Sequence, residues 1–180
     1  DKYMPNYIIN TGCAGSLTDK LKVMDTVISS FVTYHDFTPI RIMKYSTPDD
    51  GNIKADEKLI SITEDILKKE NVNYYVSPIT SGDCFVTDSK VRDEIYNRTK
   101  ATIVDMESAS IGHISRKNNV PFVCIRTVSD FADGVSGGPG RAVEAWGQPG
   151  AVGHHGVSGH AVHDPERVPD RQHAGGAHRH

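Results

Sequence analysis

The sequence predicts an α/β fold, and three observations predict it. Between residues 103 and 133 a β-branched pair, Ile103-Val104, is followed by a helical stretch and then by a Pro-started apolar run, Phe122 to Val128. Upstream, apolar β-rich segments again alternate with a periodic helix, as in strand–helix–strand units. The third observation bounds the domain. Every Lys, Leu, Ile, Tyr, Phe, Met, Asn and Cys lies at or before Asp133, and none follows. At 180 residues the chain is long enough for one ordinary core. Residues 1–133 are therefore read as the folding domain and 134–180 as a separate tail.

The first strand is Tyr7 to Asn10. A domain rarely begins inside its sheet, so an upstream portion is expected to be missing. Thr11-Gly12-Cys13-Ala14-Gly15-Ser16 reads as a small-residue loop after that strand. Such residues let backbone N–H groups approach a ligand, but neither G-x-G-x-x-G nor G-K-[ST] is present, and a plain tight turn fits equally. Asp25 to Tyr34 is β-branched and apolar, hence a strand, with His35-Asp36 at its end. Neighbours on an extended chain point to opposite faces, so a structural or subunit-contact role suits that pair better than catalysis.

Thr38 to Ile53, with Pro39, Pro48 and Asp49-Asp50-Gly51, reads as a loop. Ala55 to Glu70 is a helix with its apolar stripe at Leu59, Ile62 and Ile66, acidic at its start and basic at its end, as the macrodipole favours. Asn73 to Thr80 is the next strand and leads into Ser81-Gly82-Asp83-Cys84-Phe85-Val86. Phe85 there is suited either to stacking on a planar ring or to ordinary packing. Ser89 to Thr99 is a polar helix.

The chemistry concentrates in the stretch from Ile103 to Asp133. Glu107 sits where strand meets helix and Asp130 just past the next strand. In open α/β sheets ligands bind outside the carboxyl ends of strands, which makes the two carboxylates candidates for one pocket. Arg126 lies inside the apolar run FVCIRTV, where a charge must be paired, and the nearby acids are its natural partners. His113, on the helix with Met106 and Ala109, reads as a packed histidine rather than a metal ligand, and no metal or cofactor is expected.

The body carries sixteen basic against nineteen acidic residues, and the net charge of −3 is all its own. That mild acidity gives no electrostatic reason for nucleic acid. No run of apolar residues is long enough to span a membrane, and no signal pattern opens the chain. Cys13, Cys84 and Cys124 are odd in number and widely spaced, which points to reduced thiols and a cytoplasmic protein. The tail holds eleven of the 16 Gly and seven of the nine His, and lacks the aliphatic content needed to offset its ordering entropy. It is expected to be disordered and non-native to the domain.

With these residues laid out, Tyr7 to Asp133 resembles the nucleoside phosphorylase/nucleosidase superfamily, and within it the 5′-methylthioadenosine/S-adenosylhomocysteine nucleosidases. The resemblance rests on INTGCAGSL, DTVIS with YHD, SGDCF, VDMES and IRTVSDFAD, in that order. It implies a three-layer αβα phosphorylase/hydrolase-like fold with a central mixed sheet, incomplete at the N-terminus. It further implies hydrolysis of an adenine nucleoside's N-glycosidic bond, in purine and methionine salvage, by a homodimer.

Residue by residue, Asp130 resembles the acid that protonates the purine at N7. Glu107 resembles the carboxylate on the ribose hydroxyls, with Met106 packing on the sugar. Phe85 resembles the adenine-stacking aromatic, and the main chain at Val86 the group that reads the base edge. Arg126, Cys13 and Gly15 fall on the nucleophile and ribose side, Cys13 standing where Ser is common, and Ser129 joins the substrate-binding residues.

Bond cleavage leaves positive charge on the ribose and negative charge on the base, which an acid at N7 and a carboxylate at the hydroxyls relieve. Two parts of the family pattern are absent: the early loop with a water-activating Glu, and the helix after SDFAD. This chain alone is therefore expected to be inactive or severely impaired. A phosphate-dependent purine nucleoside phosphorylase and a non-catalytic nucleoside-binding remnant are the competing readings. Tyr34 to Tyr45 is where a subunit contact is expected.

Overall fold

The structure is a computed structural model and describes residues 5–37, 51–133 and the strand Gly159–Val162. In chain order the elements are β1 (Tyr7–Ser16), β2 (Thr26–Tyr34), β3 (Ile53–Lys54), α1 (Glu57–Lys69), β4 (Tyr74–Ser81), α2 (Ser89–Thr99), β5 (Ile103–Asp105), α3 (Ser108–Lys117), β6 (Phe122–Asp130) and β7 (Gly159–Val162). The α/β class is as the sequence predicts. Most strands and helices fall within a residue or two of their expected bounds.

The strands form one mixed sheet in the order β3-β2-β4-β5-β1-β6. β6 runs parallel to β1, with Gly12 opposite Arg126 and Gly15 opposite Asp130. β5 runs parallel to β4 but antiparallel to β1, pairing Gly15 with Val104. β6 also returns to pair antiparallel with the first half of β2. The sheet is thus closed through β2, β4, β5, β1 and β6 rather than open.

Two expectations change here. Thr11 to Ser16 is not a loop. It continues β1 because β6 pairs along it, and the only irregularity is a register shift at Ala14/Gly15. Ile53 belongs to a short strand, β3, held against Phe31 and Val32. Of the rest of the expected loop, Gly51 and Asn52 are described and residues 38–50 are not.

Side chains alternate along a strand, and β5 shows what each face meets. Ile103 joins the cluster built from Ala14, Val27, Val32, Ile79, Phe122 and Cys124, into which α3 places Ala109. Val104 joins the opposite cluster, with Leu17, Val86 and Ala132, into which α2 places Ile95. Helices therefore cover the two faces of β5. α3 lies close on the sheet because Gly112 has no Cβ; one added there would come within 2.6 Å of Val32 Cγ2 and 2.8 Å of Phe122 Cζ.

α1 begins two residues later than expected because Asp56 caps it, its Oδ1 accepting from Leu59 N at 2.9 Å. Its buried face differs from the expected stripe. Ile60 packs on the core, while Ile62 and Ile66 are exposed. Apolar residues occupy so much of this helix that periodicity alone does not choose the inward side. Of the tail, expected to carry no ordered element, Gly159–Val162 forms β7, antiparallel to Tyr7–Asn10. The remainder, 134–158 and 163–180, lies outside the described residues.

Candidate active site

Small residues on β1 make room for charged ones on β6. Gly12 sits beneath the Arg126 guanidinium, whose Cζ would lie 3.5 Å from an added Cβ. At Gly15 the same construction meets Asp130 Oδ1 at 3.0 Å and Ala132 Cβ at 3.1 Å. A side chain at Gly15 would displace the carboxylate. The two glycines are there for close approach of side chains, not for a turn.

Arg126 is 2 % exposed and its charge is answered by Asp105, a residue the sequence reading did not single out. Nε donates to Asp105 Oδ2 at 2.7 Å, and Nη1 donates to the carbonyls of Asn10 and Ile125 at 3.2 Å each. Asp105 accepts further bonds from Ser81 Oγ at 2.5 Å, from Ser108 N at 3.2 Å and from Ser108 Oγ. Ser81 Oγ in turn accepts from Ala109 N at 2.9 Å. The first free N–H groups of α3 are thus satisfied by Asp105 and Ser81, not by the residue at the cap position.

That residue is Glu107. Its side chain makes no capping bond, and among the described residues its carboxylate takes part in no hydrogen bond or ion pair. It is half-buried, next to Met106, which is 44 % exposed although apolar. Among the described residues Glu107 is thus a half-buried carboxylate that no other side chain engages.

Asp130 ends β6 and is buried. Its Oδ2 accepts from Ser129 Oγ at 2.7 Å and its Oδ1 from Ala132 N at 2.8 Å. Ser129 Oγ also lies 3.3 Å from the Ala14 carbonyl. Cys13 stands between the charges of Arg126 and Asp130. Burial is the main cause that raises its thiol pKa, with Arg126 opposing and Asp130 adding to the effect.

Phe85 follows β4 with its ring 54 % exposed, whereas Val86 is buried among Leu17, Val104 and Ala132. Val86 and Ala132 in one cluster tie the loop after β4 to the turn after β6. Phe85 and Met106 are thus large apolar side chains held open on elements that converge on Asp105 and Asp130.

The sequence reading placed both acids outside the carboxyl ends of strands in an open sheet. The strand directions correct that warrant. β5 runs against β1 while β6 runs with it, so their carboxyl ends do not share an edge. What joins Asp105 to Asp130 is β1 between them, with Arg126 opposite Gly12 and Asp130 opposite Gly15. The acid that pairs Arg126 is accordingly Asp105, not Glu107 or Asp130. The only local signal was the first acid in V-D-M-E, two residues before Glu107.

His35 and Asp36 are structural, as the sequence favoured. The His35 ring is buried against Gly82, its carbonyl accepts from Arg98 Nη2, and Asp36 Oδ2 accepts from Asp83 N at 2.6 Å. Burial lowers the His35 pKa, opposed by Asp36. His113 meets Tyr34, its Nδ1 lying 3.4 Å from the phenol oxygen. Among the described residues no group of three His, Cys, Asp or Glu is placed to hold a metal ion. No helix among them is long and apolar enough to cross a membrane.

A mixed, closing sheet with glycines under a guanidinium and an acid defines a class before it defines a protein. The chain belongs to the phosphorylase superfamily, whose model matches residues 1–149, past the Asp133/Gly134 boundary expected from composition.

Solved structures refine the likeness. The 5′-methylthioadenosine/S-adenosylhomocysteine nucleosidase of Neisseria meningitidis, in complex with methylthio-immucillin-A, is 31% identical with a TM-score of 0.66. That match covers 73% of this chain and 59% of the other. The Helicobacter pylori enzyme of the same name is 25% identical with a TM-score of 0.66, covering 78% of this chain and 60% of the other. The futalosine hydrolase of Helicobacter pylori gives the same identity, TM-score and coverage. The chain thus spans about three fifths of the length of the structures it matches.

Proposed function

We propose that this chain is the base- and ribose-binding part of an enzyme that hydrolyses the N-glycosidic bond of an adenine nucleoside, 5′-methylthioadenosine or S-adenosylhomocysteine, releasing adenine with water as the nucleophile. Asp130 delivers a proton to N7 of the departing base. Glu107 accepts from the ribose hydroxyls and favours the cationic sugar, while Met106 packs on the ribose. Phe85 stacks on the adenine and the main chain of Val86 reads its edge. Arg126, Ser129, Cys13 and Gly15 line the ribose and nucleophile side. Such a positioned acid contributes about 10²–10⁴-fold to the rate.

The observation that carries the reading is the buried Asp130 carboxylate, held by Ser129 and Ala132 over a glycine that leaves it room. The uncommitted Glu107 and the open Phe85 and Met106 support it. So do the names of the similar structures, several of them solved with adenine-nucleoside analogues. Three free thiols accord with a cytoplasmic protein. A homodimer completes the proposal, with its contact near Tyr34 and the exposed Phe37, whose ring centroids are 5.6 Å apart.

The test is adenine release from methylthioadenosine in phosphate-free buffer, with a futalosine-type nucleoside as the second substrate. Release of adenine and free sugar by a version carrying the early loop and the helix after SDFAD, lost in Asp130→Asn and weak or absent in the chain alone, is the expected result. A strict phosphate requirement would overturn the choice of water. Binding without turnover would leave a nucleoside-binding protein instead.

A further inference from the structure

We propose that Ser81 is a positioning residue for Glu107: it caps α3 from the end of β4 and so leaves that carboxylate whole for two ribose hydroxyls. This rests on the nucleoside reading above and names a residue that sets recognition of the sugar. The first N–H groups of a helix need acceptors, and the residue at the cap position usually supplies one from its side chain. Glu107 holds that position, with a non-helical backbone (φ −127°, ψ −28°), yet its side chain makes no capping bond. Ser81, 28 residues from Ala109 in sequence, supplies the acceptor instead. Its Oγ accepts from Ala109 N at 2.9 Å and donates to Asp105 Oδ1 at 2.5 Å.

A carboxylate that capped its own helix would have one oxygen engaged by the Ala109 or Ser110 N–H. Relieved of that bond, Glu107 keeps both oxygens, and two neighbouring hydroxyls on a ribose call for two acceptors. The same contacts fix where Glu107 stands. Ser108 N donates to Asp105 Oδ1 at 3.2 Å, so the chain is held on both sides of Glu107, at β5 and at the first turn of α3.

The Ser81 hydroxyl also joins the two halves of the proposed site. Ser81 ends β4, four residues before Phe85. Around it His35 N donates to the Ser81 carbonyl at 3.0 Å and Gly82 N to the Asp105 carbonyl at 3.2 Å. The strand that leads to the base-stacking ring is thus pinned to the turn that carries the ribose carboxylate. Ser81 is 1 % exposed and touches no substrate atom itself. Without its hydroxyl Asp105 keeps Arg126 Nε, Ser108 N and Ser108 Oγ as donors, so the junction of β5 with α3 retains its other bonds.

The experiment is titration calorimetry of the full chain with adenosine and 2′,3′-dideoxyadenosine, which differ only in the two hydroxyls. The wild-type chain is expected to prefer adenosine. Ser81→Ala is expected to weaken adenosine about tenfold, the scale of one hydrogen bond to a charged group, and to leave dideoxyadenosine unchanged. In a Glu107→Ala background the same substitution is expected to weaken adenosine no further. A merely structural Ser81 would weaken both ligands alike or neither, and either result would overturn the proposal.

Should Ser81→Ala not fold, hydrogen exchange at the Ala109 amide of the wild-type chain gives the answer. Saturating adenosine is expected to slow it more than saturating dideoxyadenosine, because engaging Glu107 braces the turn that Ser81 holds. Equal protection by the two would overturn the proposal. A wild-type chain that binds neither nucleoside overturns the nucleoside reading and this proposal with it. A preference for adenosine that survives loss of the Ser81 hydroxyl overturns this proposal alone.

Discussion

Arg126 and Asp105 meet through a single Nε–Oδ2 contact of 2.7 Å with side chains 2% and 1% exposed. Two strands and the first turn of a helix converge on that contact. Removing one partner leaves the other charge buried without compensation, which costs about 3–5 kcal/mol. Asp105→Ala is therefore expected to lower the unfolding free energy by that amount. Equilibrium urea unfolding checks it, and a loss under about 1 kcal/mol would mean that solvent reaches Arg126.

Gly82 sets how close the loop after β4 comes to His35. A Cβ there would lie 2.3 Å from His35 Nε2 and 2.8 Å from Asp36 Oδ2. Gly82→Ala is expected to destabilise by about 1–3 kcal/mol, the usual cost of overpacking. Its thermal midpoint should fall clearly below wild type. A midpoint at or above wild type would show that the ring moves aside freely.

Stability should fall as the solution is acidified through the histidine range. Burial holds the His35 pKa below its ordinary value of 6.5, so near and just below that pH the unfolded chain binds a proton that the folded chain does not. Stability then rises with pH across this window, and the contribution is lost as pH falls from the unfolded pKa towards the folded one. Urea midpoints at pH 7.5 and pH 5.5, in wild type and His35→Gln, check the assignment. The variant should show the smaller difference between the two.

The three thiols should react in a fixed order. Cys84 is exposed, Cys13 is half-buried with its pKa raised, and Cys124 is buried with its pKa pushed up to about 11. The thiolate is the nucleophile, so iodoacetamide should label Cys84 first, Cys13 slowly and Cys124 only after unfolding. Mass spectrometry of time points reads this directly. On the proposed function, methylthioadenosine should further protect Cys13 and leave Cys84 unaffected.

By itself the sequence determined the α/β class, the position of most elements and a short set of site candidates. Strand and helix periods are local, and Glu107, Arg126 and Asp130 announce themselves as charges in or beside apolar strands. What it did not determine was strand direction. Nothing local to Ile103–Asp105 says that β5 opposes β1 while β6 follows it, or that Thr11 to Ser16 stays extended. Small residues are compatible with turn and strand alike, and pairing with β6 chose the strand.

The partner of Arg126 was hidden for the same reason. Asp105 and Glu107 lie two residues apart, and only the packing of α3 on Ser81 and Asp105 separates the committed carboxylate from the free one. Charge and period are written along the chain. Which charges meet is decided by contacts between segments distant in sequence, and only the folded sheet supplies them.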